Sequence, residues 1–444
     1  MKYLLSLLII IAAAAGFGQA TEPGQGENGR VIKPLERMKY FNYQRAFPNK
    51  EIPEGKYAEA NDQLNKMIYN KNDYAMAQAL QPEWRPIGPF STGGRIKSIV
   101  HHPSQDGVVF AAAAAGGIWK TTDGGDSWKP IFDYENSIAF GSIDIDNNNP
   151  DILYAGTGEA VIGGGNIYLG NGIYKSTDGG VTWRNMGLTN VGAFSKVYVH
   201  PKNSNLIYAG TVQQSKGFYR SNDAGATWQK MYDANITDVS INPNDENQVY
   251  IAVNASGVYY TPDGGFTWER RSNGLPTEGI NRISVQAAPS NPLILYALMP
   301  VGDEAHIYKS ADGGKAWALI FKGTSSFFNG QGFYDNYIAV HPTAPDFVMA
   351  GGIDIFKTNN GSKFTNITYG YQGGNVHVDQ HCLAYSPFNN AVMYAGNDGG
   401  LFKTTNGGSS WFAVNNGIEV TQFYAMDVDN FAETRNFGGT QDKG

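Results

Sequence analysis

The sequence predicts an all-β fold. It reads as a β-propeller of four-stranded antiparallel blades, seven recognisable and an eighth begun, preceded by a short helical N-terminal arm. Three observations carry this reading. An octapeptide recurs seven times, an apolar unit of constant layout surrounds each copy, and the chain holds 55 glycines in 444 residues. That is well above the usual ~7% and points to many tight turns.

The octapeptide places an acid or amide at its third position and an aromatic ring at its end. The third positions are Asp123, Asp178, Asp223, Asp263, Asp312, Asn360 and Asn406. The closing rings are Trp128, Trp183, Trp228, Trp268, Trp317, Phe364 and Trp411, so six of the eight tryptophans of the chain fall there. Successive third positions lie 40 to 55 residues apart, the length of one four-stranded blade. The residue types are those of a turn. The carboxylate or amide accepts N–H groups of its own loop, a glycine two places on takes positive φ at no cost, and the ring is expected to lie across its own hairpin. The seven polar positions are therefore structural.

Within each unit four strands, A to D, are legible. An A strand ends in a proline turn, as in residues 96–103, 196–201, 237–243 and 337–342. A B strand follows, as in Tyr154-Ala155-Gly156, Tyr208-Ala209-Gly210 and Tyr394-Ala395-Gly396. A C strand runs into the octapeptide, and its closing ring opens strand D. Residues 423–428 and 436–440 resemble strands A and B of an eighth unit. Trp84-Arg85-Pro86-Ile87 resembles an opening D strand and is expected to close the ring, with the chain stopping in mid-blade as a fragment of something longer.

The start of the chain reads differently. Residues 1–20 carry Lys2, an apolar run from Leu4 to Ala15 and small residues at Gly18-Gln19-Ala20, the layout of a secretory signal. The run is too short to span a bilayer, and no other segment could. Residues 21–83 form a lead-in arm, glycine-rich at first. Its helical stretch, residues 58–76, carries Leu64, Met67 and Ile68 at helical spacing. The propeller occupies residues 84–444. The expected product is a monomer that is secreted or held at the cell surface.

Charge and cysteine usage exclude several functions. With 33 basic and 40 acidic residues the net charge is −7, so no nucleic-acid partner is expected. The single cysteine, Cys382, excludes an internal disulfide and a cysteine-rich zinc site.

The octapeptide is similar to the Asp-box, or BNR repeat, of sialidases, two-propeller xyloglucanases and sortilin. The longer unit resembles secreted bacterial Asp-box proteins of sortilin-like or glycosyl hydrolase-like type, of the kind found in Bacteroidetes. The stretches that carry this are Gly88-Pro89, Gly94-Arg95, Tyr154-Ala155-Gly156-Thr157-Gly158-Glu159, Gly332-Phe333-Tyr334-Asp335-Asn336, His377-Val378-Asp379-Gln380-His381, Gly396-Asn397-Asp398-Gly399-Gly400 and Gly438-Gly439-Thr440-Gln441-Asp442. The resemblance implies a propeller over residues 84–444. The activities of the named relatives are not carried over. The sialidase Arg-Ile-Pro motif is absent, Ala115 stands before Gly116-Gly117 where the xyloglucanases place a catalytic Asp, and the Cys-rich domain of sortilin is missing.

In propellers of this topology the B–C and D–A loops form the face opposite the boxes, where ligands bind. Candidates there are the carboxylates Glu159, Asp335, Asp354 and Asp398, a set of the type that glycosidic acid–base chemistry requires. Arg95, Arg282, Tyr334 and Asn397 are candidate ligand-binding groups. Asp335 stands between Tyr334 and Tyr337 and is the expected acid. Glu159, beside a glycine-rich loop with room for water, is the expected base. His377, Asp379 and His381 alternate and, on a strand, would share one face, which suits a divalent metal. No other cofactor is implied. The lead reading is a propeller that recognises an extracellular glycan or protein. The alternatives are a carbohydrate hydrolase and an architectural module of a surface adhesin.

Overall fold

The computed structural model describes residues 43–49, 52–53, 55–68, 88–162, 168–429 and 435–441. The proposed signal at residues 1–20 and the proposed closing strand at Trp84-Arg85-Pro86-Ile87 lie outside the described residues. The arm contributes a helix at Lys56–Ile68, which overlaps the expected stretch over residues 58–68. It reaches the ring through Gln214, whose Nε2 donates to the Ile52 carbonyl at 3.2 Å.

Seven four-stranded antiparallel sheets follow one another along the chain, each in the order A-B-C-D. The A strands are Ile96–His101, Phe140–Ile145, Ala193–His200, Ile236–Asn242, Ser284–Ala288, Tyr337–Val340 and Gln380–Tyr385. Each D strand starts directly after a box ring, from Lys129–Pro130 to Phe412–Ala413. Strands Phe423–Val428 and Asn436–Thr440 pair with each other as a separate two-stranded sheet, the eighth sheet begun.

The hydrophobic core lies between blades rather than within them. In strand B of blade one, Val109, Ala111 and Ala113 pack against blade seven. The alternate residues Phe110 and Ala112 pack against Phe140, Ile143 and Leu153 of blade two. Both faces of this strand are buried, which is why it reads as a continuous apolar run rather than an alternating one. The Tyr-Ala-Gly signature has a spatial cause. A Cβ on Gly156 would sit 2.5 Å from the Phe194 ring of blade three, so the strand needs a glycine near its end, where blades converge on the axis.

The box tryptophans serve the same interfaces, which corrects the expectation that each lies on its own hairpin. The indole N–H of Trp183 donates to the Ile131 carbonyl of blade one at 2.8 Å. Trp228 donates to Met186 at 3.0 Å and Trp317 to Arg271 at 2.9 Å, each in the preceding blade. The B-strand tyrosines answer in the other direction: the Tyr154 hydroxyl donates to the Ala224 carbonyl in the next box at 2.9 Å. The box acid stays local, as expected. Asp178 accepts the Thr182 hydroxyl at 2.6 Å and the Thr182 N–H at 2.9 Å.

Among the described residues the ring closes on the four strands of blade seven itself. Blade seven has its own D strand, Phe412–Ala413, and packs directly on blade one through Tyr394, Leu401 and Val414 against Ile96, Val109 and Trp128.

The inner edges of the A strands raise a second problem, since an edge strand leaves N–H groups unpaired. Side chains of the preceding blade cap them at four junctions. Ser98 Oγ accepts from Ile143 N at 3.1 Å, and Asp144 accepts from Val199 N at 2.7 Å. Asp238 accepts from Val285 N at 3.0 Å, and Gln286 from Val340 N at 2.8 Å.

Candidate functional site

A buried polar cluster sits where the A strands begin, on the face opposite the boxes. Four blades supply it through side chains that lie just before strand A, at its second residue, or just after strand B. Arg95 and Lys97 come from blade one, Glu159 from blade two, Tyr334 and Asp335 from blade six, and His381 and Asp398 from blade seven.

Arg95 is its centre. Its Nε lies 2.8 Å from Glu159 Oε1, and its Nη1 lies 3.7 Å from Asp398 Oδ2 and donates to the Tyr334 hydroxyl. Burial opposes the charge on this guanidinium, yet Glu159, Tyr334 and Asp398 hold its pKa well above the ordinary value. The Tyr334 hydroxyl in turn donates to Asp398 Oδ2 at 2.6 Å. The other oxygen, Asp398 Oδ1, lies 2.7 Å from His381 Nε2, and His381 Nδ1 lies 3.2 Å from Lys97 Nζ. Burial, followed by Lys97, Arg95 and Arg282, drives the imidazole pKa well down. The neutral tautomer that fits has Lys97 donating to Nδ1 and Nε2–H donating to Asp398.

Local backbone places these groups. Gly158 takes φ 82°, and a Cβ there would lie 2.6 Å from Gly170 N and 2.7 Å from the Gly192 carbonyl. Only glycine lets the chain turn between those backbones and direct Glu159 to Arg95. Two residues on, Val161 crosses to pack on Phe333 and Tyr334 of blade six. The loops of blades two and six therefore meet over this end of the channel. Glu159 and Asp335 are both wholly buried. Residues 163–167 of the glycine-rich loop lie outside the described residues.

Asp335 differs from its neighbours. Among the described residues neither of its oxygens accepts a hydrogen bond from another residue. Burial first, then Asp379 and Asp398, raise its pKa well above the carboxylate range, and Arg282 only tempers this. Arg282 donates through Nη1 to the Tyr334 carbonyl at 2.7 Å.

Other candidates stand apart from the cluster. Asp354 accepts Asn366 Nδ2 at 2.8 Å, the Thr368 hydroxyl at 3.0 Å and Gly370 N at 2.7 Å, so it fastens the loop of its own blade. Asn397 accepts Gly399 N at 2.9 Å and donates to Gln380 Oε1 at 3.3 Å, which shapes the turn that carries Asp398.

The three-residue metal reading is corrected. The strand begins only at Gln380, and Asp379 takes φ 65°, so the alternation that would align the three side chains is broken. His381 engages Asp398, Asp379 accepts Gln331 Nε2 at 3.2 Å, and His377 Nδ1 lies 3.0 Å from the Val378 carbonyl. Among the described residues no three His, Cys, Asp or Glu groups are arranged to hold a metal.

Lys97 and Gln331 escaped the sequence reading, because a lone lysine in a strand and a glutamine in a loop carry no pattern. Exposed aromatics on the same face also went unremarked. Tyr134, in the D–A loop after blade one, is 101% exposed. Tyr369 and Tyr371, in the loop after blade six, are 49% and 68% exposed.

Comparison with known proteins agrees with this architecture. The Sortilin-Vps10 family, described as sortilin, neurotensin receptor 3, matches residues 216–340. An oligoxyloglucan-reducing end-specific xyloglucanase of Emericella nidulans is 28% identical over 230 residues, which cover 47% of this chain and 28% of that protein. The chain thus spans well under half of the curated relatives it matches. Among solved structures, the GH74 xyloglucanase of Xanthomonas campestris superposes with a TM-score of 0.62 at 16% identity, over 81% of this chain and 59% of that one. The GH74 enzyme of Niastella koreensis gives 0.59 at 20% identity, over 77% and 56%. At these identities the structural likeness shows the fold, a seven-bladed propeller.

Proposed function

We propose that this propeller recognises an extracellular glycan on the face opposite its boxes. One observation carries the reading: solvent-exposed Tyr134, Tyr369 and Tyr371 stand on D–A loops of that face, while Glu159 and Asp398 are withdrawn into contacts with Arg95, Tyr334 and His381. Exposed aromatic rings offer the flat apolar surface on which a sugar ring stacks, and neighbouring polar groups fix its hydroxyls. Similarity to enzymes named for xyloglucan makes that β-glucan the first ligand to try. Export to the cell exterior belongs to the same proposal. Among the described residues no helix is long and apolar enough to cross a membrane. The test is affinity electrophoresis in xyloglucan, other β-glucans and α-glucans. Retardation by one of them that Tyr369→Ala with Tyr371→Ala removes supports the reading. Unchanged mobility in every polysaccharide overturns it.

Hydrolysis is the second reading, favoured by Asp335. A buried carboxyl held protonated is what a general acid needs. It would have to act after the loops of blades two and six part, because it has no route to solvent as it stands. Release of reducing ends from xyloglucan, abolished by Asp335→Asn in a folded variant, would establish it.

A further inference from the structure

Below the polar cluster the central channel holds a partly open cavity of about 370 Å³. Its lining runs from Lys97, Ala160, Ile162, Arg282 and His381 at the cluster to the A–B turn prolines Pro243, Pro289 and Pro342 on the box side. The volume is that of a small-molecule site.

The lining charge is unequal. Three cations, Lys97, Lys196 and Arg282, face one carboxylate, Asp238. That carboxylate already accepts Val285 N at 3.0 Å and Val239 N at 2.9 Å. Burial raises its pKa, with Lys196 the largest influence in the other direction. Further carboxylates stand behind the lining. Asp144 acts near Lys196, and burial pushes it up to about 6. Asp335 acts near Arg282 and is raised as well. Glu159 and Asp398 engage Arg95. Among the lining side chains themselves the cations outnumber the carboxylates three to one, although burial lowers Lys97 to about 8, and in a confined space a counter-charge is worth more than in bulk water.

Donor accounting points the same way. The channel hydroxyls direct their hydrogens to carbonyls of the next blade: Ser195 to Ile236 at 2.5 Å, Thr237 to Ile283 at 2.6 Å and Ser284 to Asn336 at 3.0 Å. Lys196 occupies the place on its strand that Ser98, Ser142 and Asp238 use to cap the next blade. It carries no acceptor for that purpose, and its ammonium makes no hydrogen bond or close ion pair among the described residues. A cation thus stands where three other blades carry an acceptor.

We propose that the channel binds a small oxyanion of phosphate or carboxylate type between Lys97, Lys196 and Arg282, entering from the box side. This site is separate from the glycan face.

The experiment is calorimetric titration of the full chain at pH 7 with inorganic phosphate and, in a second arm, with malonate. Sodium chloride at matched ionic strength is the control. Saturable binding of either probe is expected, and the arm that binds tells phosphate from carboxylate. Lys196→Met is expected to weaken binding about tenfold, the scale of a charge-assisted hydrogen bond. Lys196→Arg, which keeps the charge, should retain it. Lys97→Met provides an independent loss. Tyr369→Ala with Tyr371→Ala should leave anion binding unchanged, which separates this proposal from the glycan reading. No saturable heat with either probe, the same heat with chloride, or undiminished affinity in Lys196→Met would overturn it.

Discussion

Trp128 donates its indole N–H to the carbonyl of Val414 at 2.8 Å, across 286 residues of sequence. Tyr394 returns the contact from the same blade, its hydroxyl donating to the Gly124 carbonyl at 2.6 Å. These two bonds, with the apolar cluster around them, hold the last blade to the first. The same pairing of a ring sent back and a tyrosine sent forward recurs around the propeller. Ring closure is thus one more copy of the ordinary blade interface.

Trp128 is nearly fully buried at that junction. Trp128→Ala is expected to cost about 3–5 kcal/mol, because it removes a large ring from a close-packed site. Trp128→Phe should cost less, since it keeps most of the packing and loses chiefly the bond to Val414. Urea denaturation followed by near- and far-UV circular dichroism measures both. Equal losses in the two variants would show that packing carries little of the effect.

The Arg95–Glu159 pair is almost completely removed from water. Removing one partner of a buried pair strands the other, so Glu159→Leu should destabilise by about 3–5 kcal/mol. Arg95→Met with Glu159→Leu should lose less than the sum of the single variants. A double-mutant cycle decides it, and strict additivity would mean that the two charges do not depend on each other.

Acid should loosen the blade turns. Hydrogen bonds from Thr182, Thr227 and Thr267 hold Asp178, Asp223 and Asp263 at about 2. An unfolded aspartate titrates near about 3.9. The folded state therefore favours the ionised form, and the stabilisation is fully present above that value. It is lost as pH falls from about 4 through about 2. Asn360 and Asn406 do not titrate, so boxes six and seven are exempt. Asp178→Asn should be less stable than the parent at pH 7 and change less between pH 5 and pH 2. Urea midpoints across that range test this, and parallel curves would count against it. Asp144 and Asp335, with raised pKa values, act with the opposite sign: they favour the fold at low pH and less so as pH rises.

The backbone at Gly158 should tolerate no side chain. Gly158→Ala puts a Cβ against Gly170, Gly192 and Ala193 at a positive φ. It should withdraw Glu159 from Arg95 and cost on the order of 1–3 kcal/mol from backbone strain alone. Thermal denaturation reads the loss, and a parent-like midpoint would mean that the loop relaxes freely.

Much of this fold was legible in one dimension. A box every 40 to 55 residues fixed the blade count and the place of strand D, because a turn motif and a strand period are local chemistry. The same locality made the box acids readable as structural: Asp178 and Thr182 are four residues apart and meet wherever the turn forms. The two strands after residue 422 were legible for the same reason. Contacts between blades were not. The carbonyls that Trp128, Trp183, Trp228 and Trp317 donate to lie in other repeats, and nothing in an octapeptide says whether its ring folds inward or back. The metal reading failed on a single residue, since an alternating pattern assumes an extended backbone and Asp379 adopts a left-handed one. The convergence of Arg95, Glu159, Tyr334 and Asp398 belongs to the tertiary structure alone. These groups lie up to 303 positions apart (95 to 398) and meet because seven equivalent blades point their strand ends at one axis. Sequence determined which carboxylates stand near strand ends. Closure of the ring decided that Glu159 and Asp398 face a guanidinium in a dry interior, where an unpaired charge is costly, rather than an open cleft.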